Sequence, residues 1–229
     1  MKLAIMQPYF MPYIGYFQTM AAVDTYVVYD DVQFIKGGWV AHNYLLVGGK
    51  KHMFTIQLKG ASPNKLFNEV EIGDNFRKLT QLLKLNYCKA PFYHEVMPML
   101  ENIFSYEDKN LPRFLMNSYK VLFEYLGIKT NFILSSSISK DNSLKGKDKV
   151  ISICKILGAD TYYNAIGGQA LYSVDEFADN GIQLHFVSTN DFEYNQFGDH
   201  FEPGLSIIDV LMHNGKEATV KLLSHFELV

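Results

Sequence analysis

Leu3-Ala-Ile-Met-Gln-Pro-Tyr-Phe-Met-Pro-Tyr-Ile-Gly-Tyr-Phe17 decides the fold. Leu3 to Met6 is a short apolar run, as expected of a strand covered on both faces. Gln7 precedes Pro8, which has no N–H for a sheet ladder and biases its neighbour to extended backbone, so the strand should end at Gln7. Pro12 suits the start of a helix, and Ile14, Phe17, Gln18, Ala21 and Ala22 follow with roughly helical spacing. Thr25-Tyr-Val-Val-Tyr29 then has the β-branched and aromatic composition of a second strand, and Asp30-Asp31 stand at its exit. This is a β-α-β opening with its polar residues gathered at strand C-termini, the edge where open α/β sheets bind ligands.

Outward from this unit, strand, helix and strand alternate to the end of the chain. Tyr44 to Leu58 reads as a small hairpin around Gly48-Gly49, and Val70 to Ile72 as a short strand. About 75–127 should form a helical insertion, with Gly127 as its last cap. Further strands are expected over 130–135, 159–165 and 181–187, and helices over 149–157, 172–179 and from Ser206. The expectation is one α/β domain over 1–229, with a mostly parallel sheet of HUP or Rossmann type.

Candidate site residues follow from position. Gln7, Tyr9, Asp30, Asp31, Lys36, Trp39, His42 and Asn43 all fall in loops expected to share one rim, and loops beside a rigid sheet are where function concentrates. An Asp after a strand also serves as a turn former or helix cap. Trp39, the sole tryptophan, suits either a plug over the core or a platform for a sugar or base ring. Lys36 suits a phosphate as a point charge. Gly167 and Gly168 follow a strand and would let a ligand approach the backbone. The run Ser135 to Lys149 holds hydroxyls and lysines suited to phosphate but lacks Walker spacing. Asp199 and His200 are acid–base candidates in a polar, aromatic loop of 190–200, a lid or a wall. Ser206-Ile-Ile-Asp209 reads as a capping box, which would account for both polar residues.

The chain has 229 residues and a net charge of −3, with no general footprint for nucleic acid or anionic membrane. Cys88 and Cys154 are far apart, lack metal-ligand spacing and sit in apolar helical patterns. Both are expected to be buried thiols, consistent with a reducing cytosol. Lys2 alone is a poor start for a signal peptide, and no apolar run reaches transmembrane length. A cytoplasmic protein is expected.

The segments Gln7 to Phe17, Asp30 to Phe34, and Lys36, Trp39, His42 and Asn43 resemble the WbqC-like protein family, whose opening pattern is close to Gln-Pro-x-Phe-x-Pro-Tyr-x-Gly-Tyr-Phe. Leu157-Gly-Ala159, Gly167-Gly168 and Phe201 to Asp209 resemble its later motifs. His42 stands where the family pattern has Arg, so a permanent cation is replaced by a side chain that titrates near neutrality. The resemblance implies a role in O-antigen or surface-polysaccharide synthesis: transfer of glycine or a similar acyl group onto the amine of an amino sugar, nucleotide- or lipid-linked. On that implication Asp30, Asp31 and His42 are the catalytic candidates. Gln7, Tyr9, Tyr13, Tyr16, Lys36, Trp39, Asn43, Gly167, Gly168 and His200 are the substrate-binding ones. No metal or resident cofactor is indicated, only a small-molecule substrate with a nucleotide or activated acyl donor. The net charge argues against tRNA. Tyr13-Ile-Gly-Tyr16 also occupies the place where HUP nucleotidyltransferases carry His-x-Gly-His, with both imidazoles absent.

Overall fold

The computed structural model describes residues 1–74 and 76–229. Asn75, where the expected insertion begins, lies outside the described residues. In chain order the elements are β1 (Lys2–Met6), α1 (Ile14–Ala21), β2 (Thr25–Val28), β3 (His42–Val47), β4 (Lys50–Thr55), β5 (Leu58–Lys59) and β6 (Glu71–Ile72). The helical stretch follows as α2 (Phe76–Tyr87), α3 (Tyr93–Phe104) and α4 (Leu111–Leu126). The chain then runs through β7 (Asn131–Leu134), α5 (Gly146–Leu157), β8 (Thr161–Ala165), α6 (Val174–Ala178), β9 (Gln183–Thr189), α7 (Ile207–Leu223) and β10 (Phe226–Leu228).

Among the described residues the main sheet has six strands in the order β10-β9-β8-β1-β2-β7. All its pairings are parallel except β10 with β9. The chain therefore builds outward from β1 through β2 to β7, then restarts on the other side of β1 with β8 and β9. The fold is α/β with a mostly parallel sheet. β3 and β4 form the separate antiparallel hairpin, turning at Gly48-Gly49, and β5 pairs with β6.

Alternation along β1 explains the layers. Leu3 and Ile5 face a cluster with Val150, Ile153 and Cys154 of α5 and Phe177 of α6. Ala4 faces the larger cluster, shared by α1, α4, α7 and the hairpin. Successive strand residues point to opposite faces, so a strand apolar at every position is covered on both. The helices α2–α4 join the larger cluster through Leu83, Leu100, Phe114 and Tyr119, all fully buried. No helix among the described residues is long and apolar enough to cross a membrane.

Three details differ from the sequence reading. α1 starts at Ile14, with Tyr13 as its N-cap, and not at Pro12. His42 and Asn43 open β3 instead of lying in a loop. Cys88 is exposed just past the end of α2, while Cys154 is buried and its thiol pushed up to about 12 by desolvation. The helical periodicity that suggested burial for Cys88 runs out with α2 at Tyr87, one residue before it.

The turn after β1 is tied down on all sides. Tyr119 Oη donates to Tyr9 O (2.6 Å) and accepts from Tyr9 N (2.8 Å). Phe10 N donates to Val40 O (2.9 Å). Met11 is buried with a positive φ of 44° although it precedes a proline, a conformation that persists only where its surroundings impose it. Its carbonyl accepts from Asn43 Nδ2 (3.0 Å) and Ser206 Oγ (2.7 Å). Asn43 is 6 % exposed, so its amide serves the turn. Replacing Asn43 with Ala should cost about 0.5–1.5 kcal/mol, the net worth of a hydrogen bond, because Met11 O keeps its bond from Ser206 Oγ. Urea unfolding of Asn43→Ala measures this, and a change within error would show that the clamp does not bear on the fold.

Candidate functional site

Parallel pairing of β2 with β7 sets Val28 beside Leu134, so the residues that follow each strand emerge together at the C-terminal rim. Asp30 is 1 % exposed there. Its Oδ1 accepts from Ser136 N (2.8 Å) and its Oδ2 from Ser136 Oγ (2.6 Å). Loss of solvation raises the Asp30 pKa, and the two Ser136 bonds oppose the rise without cancelling it.

Asp31, the next residue, has the opposite environment. Its Oδ2 is 2.7 Å from Lys140 Nζ and 3.2 Å from Lys149 Nζ. Burial alone would raise its pKa, but Lys140, the Ser135 hydroxyl and Lys149 together outweigh burial and hold it below the ordinary value. Lys140 also donates to Ser135 O and Ile138 O. Lys149 also donates to Asp31 O (3.1 Å) and sits 5.4 Å above the Tyr29 ring. The Ser135 hydroxyl, buried beside this pair, adds to the hydrogen bonding of the Asp31 carboxylate.

These groups border a cleft of about 750 Å³, lined by Tyr29, Asp31, Ser136, Asn142, Lys145 and Lys149 among others. One wall is the start of α5, where N-cap Lys145 supplies no side-chain cap. A second cleft, of about 380 Å³, is aromatic. Tyr9, Tyr13, Tyr16, Trp39 and Tyr44 line it, with Asn43 and Lys51. A third, of about 240 Å³, shares Tyr13 and Gly204 with it and is walled by Phe192, Tyr194 and Phe201. The segments after β1 and β2 thus open onto different clefts. Gln7 opens the segment after β1: Met6 O accepts from Tyr29 N (2.9 Å), and Tyr9 Oη reaches Gln7 Oε1 at 3.5 Å.

The expected site residues are therefore distributed. Asp31 lines the charged cleft; Tyr9, Tyr13, Tyr16, Trp39 and Asn43 line the aromatic one. Neither is lined by Gln7, Asp30 or His42, although Asp30 reaches the first through Ser136. His42 pairs with Thr55, and its ring lies 4.9 Å from that of Trp39. Trp39 is half exposed, so it does not plug the core. Tyr16 is buried; its hydroxyl donates to Gln7 O and accepts from Tyr26 Oη (2.7 Å). Lys36 and His200 are exposed and outside all three clefts.

The glycines behave differently from a ligand cradle. A Cβ on Gly15 would sit 2.5 Å from Thr189 Oγ1 and from the Tyr13 ring, so the close approach there is made by the chain itself. A Cβ on Gly168 would meet the Asn164 amide at 2.9–3.0 Å, whereas Gly167 faces open space.

The sequence reading missed two features. Ser136 and Lys149 were visible only as members of a Ser/Lys-rich loop; the signal was the strand end beside them. Asp209 is not the far end of a capping box. It is fully buried and accepts from Tyr87 Oη (2.6 Å), Tyr194 Oη (2.7 Å) and Gln196 Nε2 (3.1 Å). His213 Nδ1 stands 3.6 Å from it. Burial would lower the His213 pKa, but Asp209 outweighs burial and the shift is upward. This network fastens the 190–205 segment to α7, making it a fixed wall of the third cleft. No local pattern could reveal it, because Tyr87 lies 122 residues from Asp209.

The chain is 29 % identical over 227 residues to the uncharacterized protein Rv1507c of Mycobacterium tuberculosis, with 95 % of each chain covered. No solved structure matches. Residues 7–221 match the profile of the WbqC-like protein family, from the Gln7 turn through Asp209. The chain belongs to the WbqC-like protein family.

Proposed function

We propose that this protein transfers a glycyl or similar acyl group onto the amine of an amino sugar, in the cytoplasm, during O-antigen or surface-polysaccharide synthesis. One observation carries the reading: two adjacent carboxylates at the rim of one cleft have opposite properties. Asp31 is held ionised by Lys140 and Lys149. Asp30 is desolvated and wired to the hydroxyl of Ser136, which lines the cleft.

The chemistry follows from the hydrogen-bond polarity. Ser136 Oγ gives its proton to Asp30, so its lone pairs accept from a substrate. An acceptor ammonium that donates to Ser136 Oγ loses a proton through it to Asp30. The freed amine attacks the activated acyl carbon. The new C–N bond forms as the bond to the activating group breaks, and the second amine proton leaves with that group. A raised pKa suits Asp30 to the base role better than the ion-paired Asp31. Trp39 and Tyr13, half exposed in the aromatic cleft, offer flat apolar faces for a sugar ring. His42 beside Trp39 orients that platform, and the partly buried Gln7 and Tyr9 with the buried Tyr16 and Asn43 hold it.

The strand order supports a doubly wound, HUP- or Rossmann-type sheet within a single domain: β7-β2-β1-β8-β9 corresponds to 3-2-1-4-5, reversing at β1. That order also favours a second reading, an adenylate-forming enzyme that binds ATP. Against it stands the turn at Gly15, where Thr189 Oγ1 and the Tyr13 ring already occupy the space a Cβ would take. ATP–pyrophosphate exchange dependent on glycine would establish the second reading.

Two outcomes are expected in a mass-spectrometric assay of glycyl transfer to nucleotide-linked amino sugars. Asp30→Asn should lower kcat/KM by about 10²–10⁴-fold, the usual worth of a general base, with melting temperature little changed. Because Asp30 works ionised and its pKa is raised, wild-type activity should climb with pH through an apparent pKa above the ordinary carboxylate value, and this limb should vanish in Asp30→Asn. Full turnover in folded Asp30→Asn sinks the mechanism. Separately, Trp39→Ala should raise KM for the sugar by about 2–10-fold with kcat preserved, the range for a ring contact of about 0.5–1.5 kcal/mol. An unchanged KM would remove Trp39 from the acceptor site.

A further inference from the structure

We propose that the charged cleft over the start of α5 is a nucleoside diphosphate site, with the diphosphate between Lys145 and Lys149 and the nucleoside against the remaining wall. The assignment deepens the acyl-transfer reading by naming the carrier of the acceptor, and rests on that reading only for the attached sugar.

Hydrogen-bond accounting separates the two buried lysines. An ammonium has three N–H donors. Lys140 directs them to Asp31 Oδ2, Ser135 O and Ile138 O, so it is saturated. Lys149 gives two to Asp31, at Oδ2 and at the main-chain O. Its third has no protein acceptor among the described residues, although its side chain is only 7 % exposed and lines the cleft. A nearly buried ammonium with a proton to spare calls for an anionic acceptor.

Lys145, the N-cap of α5, lines the same cleft. As N-cap it leaves the first amides of α5 without a side-chain acceptor, so the helix's positive end faces the same space. Among the charged lining residues two lysines stand against one carboxylate, Asp31, which is already ion-paired. The remaining wall is mixed: Val32, Leu66, Leu144 and the Tyr29 ring offer apolar surface for a base, and Gln33, Asn68 and Asn142 offer polar groups for a base edge or ribose. A volume of about 750 Å³ exceeds what a bare phosphate fills and falls in the range of sites for whole small ligands.

The experiment is titration calorimetry of the full chain with UDP, inorganic pyrophosphate and uridine. UDP should bind saturably, at least tenfold tighter than pyrophosphate, and uridine should show no saturation at millimolar concentration. Lys149→Met and Lys145→Ala should each weaken UDP at least tenfold. Lys145 is exposed, so its variant keeps the test valid if loss of the Lys149–Asp31 pair unfolds the protein. No saturable UDP binding, equal binding of UDP and pyrophosphate, or an unchanged affinity in Lys145→Ala each overturns the assignment. The titration needs no turnover. Transfer without UDP binding therefore condemns the nucleotide site alone, and UDP binding without transfer condemns the acyl reading alone.

Discussion

Lys140 and Lys149 converge on one oxygen of Asp31, and the charged cleft exists because they do. The contact ties the end of β2 to the loop after β7 and to the first turn of α5, which lie more than a hundred residues further along the chain. Only the Asp31 end reaches solvent appreciably, at 11 %. Removing one partner of such a buried pair costs about 3–5 kcal/mol, because the remaining charge is stranded. The same pairing spends the negative charge of Asp31 on the fold. It leaves Asp30, one residue away, as the carboxylate with chemistry to offer.

The second constraint lies on the other side of β1. Met11 holds a left-handed backbone because Asn43 and Ser206 both donate to its carbonyl. That clamp connects the opening turn to the hairpin and to the start of α7. It sets Tyr9, Tyr13 and Tyr16 opposite Trp39 and Tyr44. The charged cleft and the aromatic cleft are thus built independently, one by ion pairs and one by backbone hydrogen bonds. They open on the same rim because both follow the C-terminal ends of neighbouring parallel strands.

Local pattern carried most of the architecture. The apolar run of Leu3 to Met6, the β-branched run ending at Asp30 and the stripe of α4 closed by Gly127 were all legible, because each is written within a few residues. Helix starts were less so: Pro12 is compatible with a first turn, but the bond from Ile207 N to its carbonyl and the bridge at Tyr13 hold that segment extended. The site was legible as a list of residues and not as a grouping. Asp30, Asp31, Tyr13 and Trp39 stood out by type and position. Which cleft each would face depended on long-range pairing, as did the roles of Ser136, Lys149 and Asp209. A serine in a polar loop carries no sign that its proton belongs to a buried carboxylate from another strand.

The central claim is that two consecutive carboxylates are driven apart in acidity by their partners, burial raising one and lysines lowering the other. Carbon-detected NMR titration of aspartate-labelled protein, with Asp30→Asn and Asp31→Asn for assignment, measures it directly. The account predicts that Asp30 titrates above the ordinary aspartate value and Asp31 below it. Both residues titrating together at the ordinary value, or in the reverse order, would contradict it.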